Sequence, residues 1–423
     1  MLFESFASAA ATILWVTFIL ALIMGAVANK TNFCTMGAVS DWVNMGDLGR
    51  MRAWLFAIAV AMLGVVIFEF SGALSAEGSF PPYRMGHFDW LGHALGGFLF
   101  GIGMTWASGC GNKTLVRIGG GNIKSLMVFV IIGFIAFWLI NPQPVFGTGQ
   151  TAGQLFLGWT DAVAISFANG QDLGSIIAGA DGANTARLII GLVIGIGLLA
   201  FIFKAADFRT SFDNILGGLV IGTVVVGAWW ITSTAQIEDM GDAYTPTEYL
   251  AEWDFLGEPG EPRPAGEVRF WNNQSFTFIA PMGQTYGYAT GGFDSTLVYF
   301  GVIAVAGVIL GSLLWALISR NFRIEWFSSW KDFGSHFFGA ILMGVGGVMA
   351  MGCTIGQAVT GISTLALGGF VTFAFIVFGA ALTMKMQYYK MLYEDEATFG
   401  ATLVTSLVDM RLLPSSMRKL EAL

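Results

Sequence analysis

HALGGFLFGIGMTWASGC, residues 93–110, and HFFGAILMGVGGVMAMGC, residues 336–353, align without a gap. His93, Gly96, Leu99, Gly101, Gly103, Ala107, Gly109 and Cys110 each meet an identical residue 243 positions later. The chain has only three histidines and three cysteines, so one of each at the two ends of both stretches marks an internal repeat. A weaker echo links LGGFLFGIG (95–103) to LGGLVIGTV (216–224). Gly25 precedes Cys34 by nine positions, as Gly101 precedes Cys110 and Gly344 precedes Cys353, whereas Gly222 has Ile231 at that distance. Four glycine-rich spans are therefore expected to lead to one kind of site, with the thiol missing from one of them.

The solvent of these spans follows from composition. Apolar residues make up 55% of the 423, charged residues only 11%, and the mean hydropathy is +0.69. Soluble domains carry roughly a quarter charged residues. Stretches of the roughly 20 apolar residues needed to cross a bilayer occur near 11–28, 53–73, 92–110, 123–141, 187–204, 212–232, 296–318, 334–352 and 367–384. The expectation is an all-α integral membrane protein of about nine transmembrane helices. MLFESFASAA carries an acid and no base, so the first span reads as a retained helix, not a cleaved leader.

Basic residues collect in cytoplasmic loops. With the N-terminus outside, the inside segments 29–52, 111–124, 204–213, 319–333 and the tail hold sixteen of the twenty Lys and Arg, leaving Arg84, Arg187, Arg263 and Arg269. This predicts an outside N-terminus and a cytoplasmic C-terminus. The spans near 12–28 and 92–110 then run inward and those near 212–232 and 334–352 outward. Two inverted-topology repeats of this sort place a transporter's substrate site at their interface. Small-residue helix packing also accounts for the glycines, and the two readings can hold together, with transport the favoured role. The divisions expected are 1–141 as the first repeat half, 142–186 as an extracytoplasmic loop, 187–384 as the second half, and 385–423 as a cytoplasmic tail. The second half contains an acidic extracytoplasmic insertion at 233–295, bearing Glu238, Asp239, Asp242, Glu248, Glu252, Asp254, Glu258, Glu261 and Glu267, with prolines at 246, 259, 262 and 264. The insertion reads as a solvated lid. No nucleic-acid or nucleotide motif is present; GGGNIKS (119–125) lacks the spacing and preceding strand of a phosphate loop.

After each cysteine the apolar run stops. TMGAVSDW (35–42), GNKTLVRIGGG (111–121) and TIGQAVTGIST (354–364) are too short to span. They read as re-entrant half-helices, tolerated at membrane depth where they line a cavity or lie buried in protein. A half-helix beginning just after a cysteine aims its free N–H groups at that thiol, which makes an anion site. Gly109, Gly111 and Gly352 allow a ligand close to the backbone. Cys34, Cys110 and Cys353 themselves admit three readings: buried small hydrophobes, soft-metal ligands, or contacts to a soft anionic solute. Against metal stand the absence of a CxxC and of a matching ligand cluster; His93 and His336 lie at the far helix ends. Lys113 reads either as a counter-charge or as a cytoplasmic-end lysine. Asn32, Asn112, Thr354 and Gln357 are candidate polar liners, and Glu69 reads as an interfacial acid or a coupling group.

NFCTMGA (32–38), SGCGNKT (108–114) and MGCTIGQ (351–357) in this two-half setting resemble the YeeE/YedE sulfur-transport family of bacterial inner-membrane proteins. The resemblance covers the membrane part and leaves the 142–186 and 233–295 loops outside it. It implies import of thiosulfate by a relay among Cys34, Cys110 and Cys353 through S–H···S contacts. It further implies hand-over to a small cytoplasmic sulfur-carrier protein of the TusA type, without a cofactor or metal. The competing expectations are a membrane thiol–disulfide oxidoreductase, and a channel for another soft anion or a metal.

Overall fold

A computed structural model describes residues 1–257, 262–394 and 397–421. Glu258, Pro259 and Glu261 of the acidic insertion lie outside the described residues. The chain builds four similar three-helix units, and in each a short helix lies between two long ones. The first comprises α1 (Phe6–Lys30), α2 (Thr35–Met45) and α3 (Gly49–Phe70); the second, α4 (Trp90–Trp106), α5 (Gly111–Gly119) and α6 (Ile123–Ile140). A linking helix, α7 (Leu173–Lys204), follows. The third unit comprises α8 (Phe212–Thr234), α9 (Ile279–Thr290) and α10 (Phe300–Ile318). The fourth has α11 (Trp330–Met349), a π-helical turn over Ile355–Gly361, and α12 (Leu367–Tyr393). The tail adds α13 (Phe399–Asp409).

The nine expected spans all fall on helices. Among the described residues, seven helical stretches are long and apolar enough to cross a membrane unaided. The two that fall short, α4 with 17 residues and α11 opening on WKDFGSH, are the pair carrying the repeat that ends in Cys110 and Cys353. Both are held by close packing against neighbours. Along α4, Gly96, Gly103 and Ala107 meet Gly346 and Ala350, then Met343, then Gly339 of α11. One helix is read forward as the other is read backward, so the two repeated segments run antiparallel. Leu20 and Thr31 of the first unit face Gly227 and Gly217 of α8 in the same reversed order. The inverted arrangement is thus visible in glycine-mediated helix contacts, where backbone approaches backbone.

Units one and three interlock, as do units two and four: α1 packs on α8 and α10, α3 on α8, α4 on α11 and α12, and α6 on α11, while α9 of unit three crosses to α6. The short helices cross between the pairs, with α5 against α10, α2 against α12, and the π-helical turn against α3. Every short helix therefore meets the middle of the bundle.

Two differences from expectation concern the third unit. Helix α8 runs unbroken to Thr234, so Ile231 lies inside it and begins no half-helix. The segment after Ser275, expected within the acidic loop, instead enters the bundle as α9, packed on α6, α10 and α11. Its N-cap is Phe278, which occupies the place the cysteines hold in the other units. The rest of that insertion stays at the surface, where Gln236–Asp239 pairs in parallel with Leu2–Phe3 and antiparallel with Asp242–Tyr244.

Charges pair at the opposite face. Lys30 meets Asp213, Arg52 meets Asp207, Arg50 meets Asp41 and Lys124 meets Asp332.

Candidate functional site

The helix before each cysteine is stopped in one and the same way. Asn32, Ser108 and Met351, each two residues ahead of its cysteine, adopt left-handed φ values of 51°, 60° and 55°. The next amide then reaches back five residues: Phe33 N–H to the Ala28 carbonyl (3.1 Å), Gly109 to Met104 (2.9 Å), Gly352 to Gly347 (2.8 Å). This is a Schellman-type ending. It turns the chain so that Cys34 and Cys110, in extended conformation, cap the N-termini of α2 and α5. Each cysteine carbonyl accepts the first helical bond, from Ala38 (3.0 Å), Thr114 (2.9 Å) and Gln357 (2.8 Å). The Cys110 and Cys353 thiols are left facing free amides of the new turn.

The three thiols, all unpaired with one another as disulfides, are buried. The Gly356 amide donates to Cys353 Sγ at 3.5 Å, and the amides of Phe278 and Ile355 converge on the same sulfur. Cys110 lies beside the Thr35 and Thr354 hydroxyls, the Lys113 amide and Cys34. A Cβ at Gly111 would stand 3.5 Å from the Cys353 Cβ and 3.6 Å from the Phe278 Cβ. Cys353 neighbours Tyr83 and Cys110, while Cys34 neighbours Lys113 and Arg50. Cys110 is thus the thiol that neighbours both others, with Tyr83 near Cys353 and two cations near Cys34.

Several polar atoms around these thiols have no oxygen or nitrogen partner among the described residues. They are the hydroxyls of Thr35, Thr277, Thr354 and Tyr83, both amide atoms of Asn112, and Oε1 of Gln357. All are buried, Asn112 to 1% exposure and Thr35, Thr354 and Gln357 to 0%. An unpaired buried polar group costs about 1–3 kcal/mol, and native interiors hold few of them. A cluster around three thiols is a lining suited to a polar guest.

Of the remaining expected site residues, Gly109, Gly352 and Gln357 border this cluster, while half-buried Lys113 pairs with exposed Asn32 at its edge. Lys113 Nζ donates to Asn32 Oδ1 at 2.5 Å, and a Cβ at Gly109 would sit 3.1 Å from the Lys113 side chain. Gln357 Nε2 donates to the Ala350 carbonyl at 2.6 Å. Gly352 faces Thr277 and Gln357. Glu69 stands apart in a buried ion-pair network: Arg84 Nη2 donates to Glu69 Oε2 at 2.8 Å, and Arg84 Nε to the Thr364 carbonyl at 3.1 Å. Arg187 joins it through Glu77 (2.7 Å) and Asp172 (2.7 Å). That network straps the 71–89 loop to the end of the Cys353 segment. Sequence reading missed Thr35, Thr277, Phe278, Tyr83 and Arg50. The Cys-Thr pair shared by 34–35 and 353–354 was the available signal for Thr35.

A sequence profile described as sulphur transport matches residues 30–382, which take in all three thiols. The chain belongs to the sulphur-transport family. Within this family, it is 25% identical over 382 residues to a thiosulfate transporter, TsuA, of Escherichia coli (strain K12), covering 87% of this chain and 93% of the relative. It is 24% identical over 375 residues to the thiosulfate transporter TsuA of Spirochaeta thermophila, covering 86% and 96%. Membership and the apolar helices together make the chain a multi-pass membrane protein of sulphur transport.

Proposed function

We propose that this protein imports thiosulfate, or a closely similar small sulfur oxyanion, through the bundle by way of its three thiols. Thiosulfate joins a soft terminal sulfur to three hard oxygens. A thiol is a weak donor and weak acceptor, suited to the soft end. The amides at the half-helix N-termini and the unpartnered hydroxyls suit the oxygens. The observation that carries this reading is the cluster of unpaired buried polar atoms around Cys353, Cys110 and Cys34. The names of the two relatives support it.

The ion passes unchanged from Cys353 to Cys110 to Cys34, held by contacts weak enough to release it at each step. The side chains taken to contact it are Cys34, Cys110, Cys353, Asn112, Thr354 and Gln357, with Gly109, Gly111 and Gly352 giving clearance. Lys113, tied to Asn32, draws the charge toward the last thiol. The repeat halves 1–141 and 187–384 supply two units each. The concentration of Lys and Arg supports a cytoplasmic Cys34 end and C-terminus with the N-terminus outside, in a bacterial inner membrane on this reading. A small cytoplasmic sulfur carrier of the TusA type is the expected recipient. Cells expressing single Cys→Ala variants test the relay by uptake of labelled thiosulfate. Each variant should lose most uptake while retaining normal membrane levels; undiminished uptake in all three rejects the relay.

A further inference from the structure

A cavity of about 440 Å³ opens between α6, α9 and the flanking segments 141–143, 267–270 and 291–299. It abuts a smaller one of about 120 Å³, since Ile140 and Ala280 line both. The smaller cavity reaches Met351 and Gly352, the residues immediately before Cys353. The two lie in line between the loop face and the turn that precedes Cys353.

The larger cavity is lined mostly by apolar atoms, with one cation, Arg269, among its walls. Arg269 Nε donates to Glu267 Oε2 at 2.7 Å, and Nη2 to the Ile140 carbonyl at 3.1 Å. A guanidinium carries five N–H donors, so these two bonds leave donors for a guest. The Tyr299 hydroxyl accepts the Glu267 amide at 2.9 Å and keeps its own proton to donate. Gln284 lines the same space at 9% exposure and can donate from its Nε2 to a guest, whereas its Oε1 can only accept and turns to Gly301. Gly301 leaves room for it, since a Cβ there would stand 2.0 Å from that oxygen. Here a partly shielded cation, a spare hydroxyl proton and the Gln284 amide face one space that borders a smaller cavity at the turn before Cys353.

We infer that this cavity is a vestibule in which the incoming small divalent oxyanion first binds, on Arg269, Tyr299 and Gln284, by displacing Glu267 from Arg269. The inference rests on the thiosulfate reading and adds a site ahead of Cys353. Glu267 acts as a tethered competitor: an anion with enough charge to replace it is admitted, and weaker guests leave the ion pair intact. The site is selective for charge, and the thiols behind it for softness.

Initial uptake of labelled thiosulfate against concentration, in cells with matched membrane levels, tests it. Arg269→Gln should raise the half-saturating concentration roughly tenfold with the maximal rate retained, the scale of one charge-assisted contact. Glu267→Gln should lower it several-fold, and Arg269→Lys should restore part of the loss. Half-saturating concentrations unchanged in both Arg269→Gln and Glu267→Gln, with Cys353→Ala inactive, overturn the vestibule and leave the thiol path standing. An equal fall in maximal rate without a change in half-saturation also overturns it. No thiosulfate uptake by the unaltered protein overturns the transport reading and this inference with it.

Discussion

Replacing Gly103 by alanine tests whether the antiparallel crossing of α4 and α11 is set by backbone contact. A Cβ at Gly103 would lie 2.6 Å from the Gly339 carbonyl oxygen and 2.7 Å from the Met343 nitrogen. Both are backbone atoms, so no side chain can rotate out of the way. Reaching an ordinary contact of about 3.4 Å requires the helices to part by roughly 0.8 Å. Overpacking of this kind costs about 1–3 kcal/mol, a drop in Tm on the order of a few degrees. The same movement displaces Cys110 and Cys353, which sit just past the ends of these helices, so uptake should fall as well. Gly197→Ala in α7 is the matched control, since a Cβ there meets nothing within 4 Å. Melting in detergent, followed by intrinsic fluorescence, and thiosulfate uptake in cells give the two readouts. If Gly103→Ala melts and transports like Gly197→Ala, backbone contact does not set the crossing and the reasoning fails.

Asn112→Ala removes two buried polar atoms that bond to no group among the described residues, so Tm should hold or rise slightly while the half-saturating thiosulfate concentration increases. A lowered Tm with unchanged uptake would show Asn112 to be structural. Glu69→Gln leaves Arg84 buried beside a neutral partner; because Arg84 keeps Glu77, the loss should be about 2–3 kcal/mol, under the roughly 3–5 of a fully broken buried pair. Thermal melting measures it, and quicker proteolysis of the 71–89 loop should accompany it. Asp409→Asn weakens the clasp in which Tyr389 donates to Asp409 (2.7 Å) and Arg418 pairs with it, so trypsin should cut the tail at Arg418 faster.

The long helices were legible because each must be apolar for about 20 residues, a signal that survives without tertiary context. The thiol frame was legible because Gly25–Cys34, Gly101–Cys110 and Gly344–Cys353 repeat a spacing of nine. The fourth half-helix was not. Helix α9 has only 12 residues, follows an acidic insertion and has Phe278 in place of a cysteine, so neither hydropathy nor spacing marks it. Counting nine from Gly222 led to Ile231, inside an unbroken helix. The apolar run FTFIAPMG (276–283) and the symmetry of the repeat were the clues available.

Pairing of distant groups was likewise hidden. Glu69 and Arg84 are 15 residues apart, Arg84 and Thr364 are 280 apart, and Lys113 reaches Asn32 across 81 residues. Local sequence determined where helices start and stop, which residues sit at the breaks, and that the chain resides in lipid, because those depend on burial and backbone geometry within one element. Only the tertiary structure decided which thiols neighbour each other, the loss of hydrogen-bond partners around them, and the cavity ahead of Cys353. Those are properties of which helices approach each other, and here glycine contacts between remote segments set that approach.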